Sequence, residues 1–140
     1  MIVATGVDIA EIDRIERALD ASYGDRLRDR IFTPGEQTYC ESRRRGRAQS
    51  YAARFAAKEA TMKALGVGWG RHAGWLDIEV VRRSGEAPEL RLHGPAAARA
   101  QHLGIARLAL SLTHAAGLAL AFVVAERGGA PAERIDKEIS

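Results

Sequence analysis

Arg54-Phe-Ala-Ala-Lys-Glu-Ala-Thr-Met-Lys-Ala-Leu-Gly66 decides how the chain folds. Together with Ala52 and Ala53 it is rich in alanine and free of proline, so it predicts the second half of a long helix that starts near Ala48. Gly66 is a natural stop, because glycine takes the left-handed conformation of a helix C-terminus at little cost. Glu59 and Lys63 are four residues apart and share one face, with Gly66 following on much the same side. A carboxylate, an ammonium and the glycine loop Gly66-Val-Gly-Trp-Gly70 therefore meet at one helix end. A carboxylate can hold a divalent cation, and a lysine and exposed backbone N–H groups can hold phosphate. Taken alone, such a pair is most often a solvated ion pair worth a few tenths of a kcal/mol, about 0.3–0.5. What else in the chain meets Glu59 decides between the two.

Working outward toward the N-terminus, Ile2 to Asp8 reads as a strand, with Asp8 at its end. Ile9, Ile12, Ile15 and Leu19 then recur at helical spacing and predict an amphipathic helix over about 10–20. A carboxylate at such a junction is ordinarily an N-cap; on a rigid strand end it is also a candidate metal ligand. Tyr23 to Phe32 predicts a short helix. Thr33-Pro-Gly-Glu36 opens another that runs to Ser42, with Thr33 as cap and Glu36 closing a capping box. Arg43 to Arg47 is an exposed basic loop.

Toward the C-terminus, Trp75 to Arg82 and Glu89 to His93 predict a hairpin turning at Ser84-Gly-Glu86. Gly94-Pro95 opens a helix, Ala96 to Leu103, ended by Gly104. Arg107 to His114 and the apolar Leu118 to Glu126 predict two further strands, the last one central. The fold class is α+β, an antiparallel-rich sheet packed by helices that include one long helix. Residues 1–126 form one domain, and 127–140, rich in Gly, Pro and charge, are expected to be a mobile tail.

Composition narrows the function. The 140 residues suit a single core, and 46% hydrophobic with 28% charged residues is ordinary for a globular chain. No apolar run spans a membrane, and the first residues do not read as a signal peptide. The single cysteine, Cys40, allows no internal disulfide and fits a cytoplasmic location. Net charge is +3, concentrated at Arg26, Arg28, Arg30, Arg43 to Arg45, Arg47 and Arg54, which favours an anionic partner. Neither an aromatic-interleaved basic strand nor a helix-turn-helix pattern is present, so nucleic acid is not expected. His114 closes the fourth strand beside small residues; an imidazole there ordinarily satisfies a backbone carbonyl, and when exposed it can titrate near neutral pH.

Four segments in order resemble holo-acyl-carrier-protein synthase, the small stand-alone type of 4′-phosphopantetheinyl transferase. They are Gly6-Val-Asp-Ile-Ala-Glu-Ile-Asp-Arg-Ile15, the Arg54–Gly66 stretch, Trp75-Leu-Asp-Ile-Glu-Val80 and Ser111-Leu-Thr-His-Ala-Ala-Gly-Leu-Ala-Leu-Ala-Phe-Val-Val124. The resemblance spans residues 1 to about 126. It implies transfer of phosphopantetheine from coenzyme A to a serine of an acyl carrier protein, releasing 3′,5′-ADP, in support of fatty-acid or polyketide synthesis. It implies Mg²⁺ held by Asp8 and Glu59, with Lys63 neutralising phosphate charge and Lys58 a lesser phosphate contact. It also implies that Gly66 and Gly68 lie along the nucleotide and that His114 sits near it. Val67 and Ala115 lack hydroxyls that many relatives carry next to these positions.

The resemblance further implies a homotrimer with active sites at subunit interfaces. It places Arg14 on the face that docks the acidic carrier, and charge adds Arg17, Arg26 and Arg28 to that face. The base that deprotonates the carrier serine stays open between a metal-bound water and Glu59 acting through a water. The acceptor is a free carrier or a carrier domain within a larger synthase.

Overall fold

In the computed structural model, which describes residues 1–67, 74–83 and 85–128, the long helix lies across a three-stranded antiparallel sheet. The elements run β1 (Ile2–Glu11), α1 (Ile12–Asp20), α2 (Gly24–Ile31), α3 (Pro34–Ser42), α4 (Arg47–Leu65), a 3₁₀ turn (Trp75–Asp77), β2 (Ile78–Val81), β3 (Glu89–Leu92), α5 (Gly94–His102), β4 (Ile105–Ala115) and β5 (Leu118–Arg127). The sheet order is β1-β5-β4, and β2 with β3 forms a separate hairpin. This is the expected α+β architecture, with β5 central.

Alternation along β5 sets the two faces of the sheet. Ala119, Ala121, Val123 and Ala125 are fully buried, while Phe122 and Leu118 point to the other side and are exposed. α4 covers the inner face with its own small residues: Ala52, Ala56, Ala57 and Ala60 have no exposure at all. Small side chains on both surfaces let helix and sheet approach closely. The closest point is Gly6, where an added Cβ would stand 1.9 Å from the Ala60 carbonyl oxygen.

The helix ends follow local chemistry. Glu36 N–H donates to Thr33 Oγ1 (3.2 Å) and Thr33 N–H donates to Glu36 Oε1 (2.8 Å), the expected capping box. Gly66 ends α4 at φ 69°, with its N–H on Lys63 O and the Val67 N–H on Met62 O, a Schellman closure. Cys40 is buried in α3, and burial pushes its thiol up to about 12.

Two boundaries differ from the sequence reading. β1 continues to Glu11, because its ladder with β5 runs through Ile9↔Leu120 to Glu11↔Leu118. Ile9 therefore belongs to the outer face of the sheet, 56% exposed, and α1 starts at Ile12. Trp75–Asp77 is a 3₁₀ turn and β2 begins at Ile78; the Asp77 carboxylate bonds back to Gly74 N–H at 2.8 Å, holding the turn. α5 begins at Gly94, as expected, and the turn residue Ser84, Gly68 and 129–140 of the expected tail lie outside the described residues.

Gly6→Ala should destabilise the protein by about 2–3 kcal/mol through overpacking. That would lower the thermal midpoint by roughly 8 °C; an unchanged midpoint would contradict the close helix–sheet contact.

Candidate functional site

Asp8 shares the inward register of Gly6 and Ala10 on β1, so its carboxylate emerges beneath α4. Lys63, one turn from the end of α4, donates from Nζ to Asp8 Oδ1 and to the Val7 carbonyl, both at 3.0 Å. The Asp8 side chain is only 17% exposed while that of Lys63 is 55% exposed, so the ammonium faces solvent with one donor unspent among the described residues. Glu59 stands one turn before Lys63 and is half-buried. Its carboxyl is held above the usual range, first by burial and then by the negative charge of Asp8, against the pull of Lys63. Three ionisable groups expected from the sequence are thus brought together at the end of α4 that Gly66 closes.

Two carboxylates close enough to repel, one of them disfavoured as an anion, form a centre that gains from a cation. Among the described residues no group of three or more His, Cys, Asp or Glu could enclose a metal. A cation here would take only Asp8 and Glu59 from the chain and the rest of its oxygen ligands from water and substrate.

His114 lies elsewhere. On β4 it is in register with Ala119, which pairs with Ala10 of β1, so β5 separates it from the Asp8 strand by two strand spacings, about 10 Å. It is exposed and lines a separate cavity of about 340 Å³ with Arg43, Ser50, Arg54, Arg82 and Thr113. Arg54 is 3% exposed, lies 4.1 Å from the centroid of the Tyr39 ring and donates to Ser50 O at 3.3 Å; its buried Nε has no partner among the described residues. The sequence reading counted Arg54 only as part of a basic cluster. Nothing in the sequence marks an arginine as buried with a spare donor.

Lys58 is corrected from a phosphate contact to an internal residue. Its side chain has no exposure, and its three donors go to Glu36 Oε1 (2.7 Å), Trp75 O (2.9 Å) and Ile78 O. No donor is left for a ligand. Burial lowers its pKa, and the Glu36 carboxylate opposes that fall.

Of the expected docking arginines, Arg14, Arg17 and Arg26 are exposed on α1 and α2. Arg28 is not a free charge: it pairs with Asp25 at 2.8 Å and Glu41 at 3.3 Å. Arg14 also edges an apolar cavity of about 320 Å³ lined by Ile9, Ile15, Leu27, Phe32 and Phe55. Phe55 is one helical turn from Glu59, so this hollow adjoins the carboxylate centre.

Because the folded chain binds the Glu59 proton more tightly than the unfolded chain, ionising Glu59 costs stability as pH rises above about 4.3. Asp8→Asn removes the repelling charge and should lower the Glu59 pKa, as read by carboxyl ¹³C titration. An unchanged or higher value would mean that the two carboxylates do not interact.

A family model described as the 4′-phosphopantetheinyl transferase superfamily matches residues 4–123. A holo-[acyl-carrier-protein] synthase of Solibacter usitatus is 52% identical over 126 residues, covering 90% of this chain and 99% of that protein. The holo-[acyl-carrier-protein] synthase structure from Neisseria meningitidis superposes with a TM-score of 0.80 at 33% identity, over 91% of this chain and 100% of that one. The Helicobacter pylori enzyme in complex with coenzyme A gives 0.75 at 33% identity, over 87% and 99%.

Proposed function

The chain belongs to the 4′-phosphopantetheinyl transferase superfamily, and we propose on that premise that it converts apo acyl carrier protein to the holo form. The carrier's serine Oγ attacks the phosphorus of coenzyme A that bears the pantetheine. The bond from that phosphorus to the bridging oxygen breaks, 3′,5′-ADP leaves, and the serine gives up its proton. The observation that carries this reading is the convergence of Asp8, Glu59 and Lys63 beside the Gly66 helix end.

The residues fit a magnesium ion, since the Asp8 charge burdens Glu59 and a cation relieves both. Bound there with the pyrophosphate, the ion would draw off negative charge as the phosphoanhydride opens. Lys63 has an exposed ammonium with a donor to spare, suited to the same phosphate oxygens. Asp8 holds Lys63 in place, and the Val7 carbonyl fixes its second donor. Glu59, set beside the reacting phosphate in this reading, can receive the serine proton through a water.

Coenzyme A carries its phosphates in two places, the pyrophosphate and the ribose. The Arg54–His114 cavity is a second anion-binding site, with a spare buried donor, set apart from Asp8 on the same chain. The outer face of the sheet is open and apolar, with Val7 49%, Ile9 56% and Phe122 41% exposed. Both features support a homotrimer in which one copy supplies the carboxylate centre and its neighbour the arginine cavity. Arg14, Arg17 and Arg26 present positive charge to an acidic carrier or carrier domain. Residues 1–126 act as the transferase domain, working in the cytoplasm; no helix among the described residues is long and apolar enough to cross a membrane.

Incubated with coenzyme A and Mg²⁺, the protein should add the mass of one phosphopantetheine to an apo carrier, and EDTA or Glu59→Gln should abolish the gain. A gain that survives both would remove the metal assignment. Asp8→Asn and Arg54→Gln should each be inactive alone, yet regain activity when co-expressed as mixed trimers. Two dead variants that stay dead together would place both sites on one subunit.

A further inference from the structure

The interface between α4 and the sheet is built largely from small side chains. Ala52, Ala56, Ala57, Ala60 and Ala64 of the helix pack in one buried cluster with Ala119, Ala121 and Val123 of the sheet. Methyl groups interdigitate weakly, so this contact fixes how near the helix lies more firmly than how it is rolled or slid along its axis. Gly6 against Ala60 also sets the distance. Yet Glu59 and Lys63 must face Asp8, and a roll of one residue, about 100°, would turn them away.

Among the polar groups of α4 that bond to other elements, Lys58 is the one whose side chain is wholly buried with all three donors used. Lys58, next to Glu59 in sequence, is directed into the protein and donates to Glu36 of α3 (2.7 Å), to Trp75 O (2.9 Å) and to Ile78 O at the start of β2. Glu36 is itself immobile: Oε1 accepts from Thr33 N–H at 2.8 Å and Oε2 from Val80 N–H at 3.0 Å. Side-chain exposure is 0% for Lys58 and 1% for Glu36. A buried pair of this kind is poor value as a source of stability, since apolar replacements of similar size are often as stable or more so. Its best attested use is to specify register.

We propose that Lys58 and Glu36 are positioning residues for the transfer reaction: their buried bond sets the rotation and register of α4, and so aims Glu59 and Lys63 at Asp8. The proposal rests on the reading of Asp8 and Glu59 as the metal centre. Lys58 touches no substrate; it acts through the helix it anchors.

The test is the uncharged double variant Glu36→Gln/Lys58→Met, which avoids leaving a single buried charge. It should fold, with a lowered thermal midpoint because the Trp75 and Ile78 carbonyls lose the Lys58 donor. In its crystal structure the Lys63–Asp8 contact of 3.0 Å should be broken. Its affinity for Mn²⁺ in the presence of coenzyme A, read by electron paramagnetic resonance, should fall about tenfold, the scale seen when outer-shell supports of metal ligands are removed. The kcat should fall with it, while KM for the carrier stays within about twofold of wild type, since the docking arginines lie on α1 and α2. A folded variant with the Lys63–Asp8 contact intact and unchanged Mn²⁺ affinity overturns the proposal. Failure to fold also overturns it, by assigning the pair to stability. Wild-type protein that binds no Mn²⁺ with coenzyme A would instead sink the metal-centre reading, and the crystal structure would still decide whether the pair sets the helix.

Discussion

The contact of α4 with β1 at Gly6 is the constraint on which the rest depends. Because position 6 carries no side chain, the Ala60 backbone can approach the strand, and the alanines on either side close the remaining space. That proximity brings Asp8, two residues along the strand, under the last two turns of the helix. A wider gap, of the kind leucines would impose, would leave Glu59 and Lys63 out of reach of the strand. The core and the site therefore share one interface, and the small residues that build the first allow the second.

Charge follows from that geometry. Asp8 and Glu59 repel, and Lys63 offsets part of the repulsion by bonding to Asp8. The centre is left with one more negative than positive charge in a half-buried setting, which suits a divalent cation arriving with an anionic substrate. Elsewhere the chain treats ion pairs differently. Glu41 gathers Arg28, Arg47 and the Tyr51 hydroxyl into a brace between α2, α3 and α4, with its carboxyl held low chiefly by the Arg47 bond. Burial and the Glu41 bond push the Tyr51 hydroxyl up, outside the range of physiological titration. Those charges hold helices together; the ones at Asp8, Glu59 and Lys63 remain accessible.

Much of this was legible in the sequence, for local reasons. The capping box at Thr33 and Glu36, the stop at Gly66 and the apolar run of the central strand β5 are written in neighbouring residues, and each appears where expected. Ile9 misled because its spacing to Ile12 suits a helix; the pairing of Ile9 with Leu120 across the sheet overrode that pattern. Lys58 misled in a different way. It lies beside Glu59 in sequence, but adjacent helix residues diverge by about 100°, so one faces the substrate side and the other the interior.

Contacts within a few residues are enough to set most element types, the α+β class, the helix caps and the placing of Glu59 and Lys63 on one face. Packing alone shows that Asp8 is bonded to Lys63, that Arg54 is buried beside His114 with a donor free among the described residues, and that Lys58 is spent on Glu36 and two carbonyls. Those facts join residues distant in the chain. Burial and partnership at such distances are properties of the packed assembly, and one-dimensional periodicity carries no record of which side of a helix faces a charged cavity and which a carbonyl.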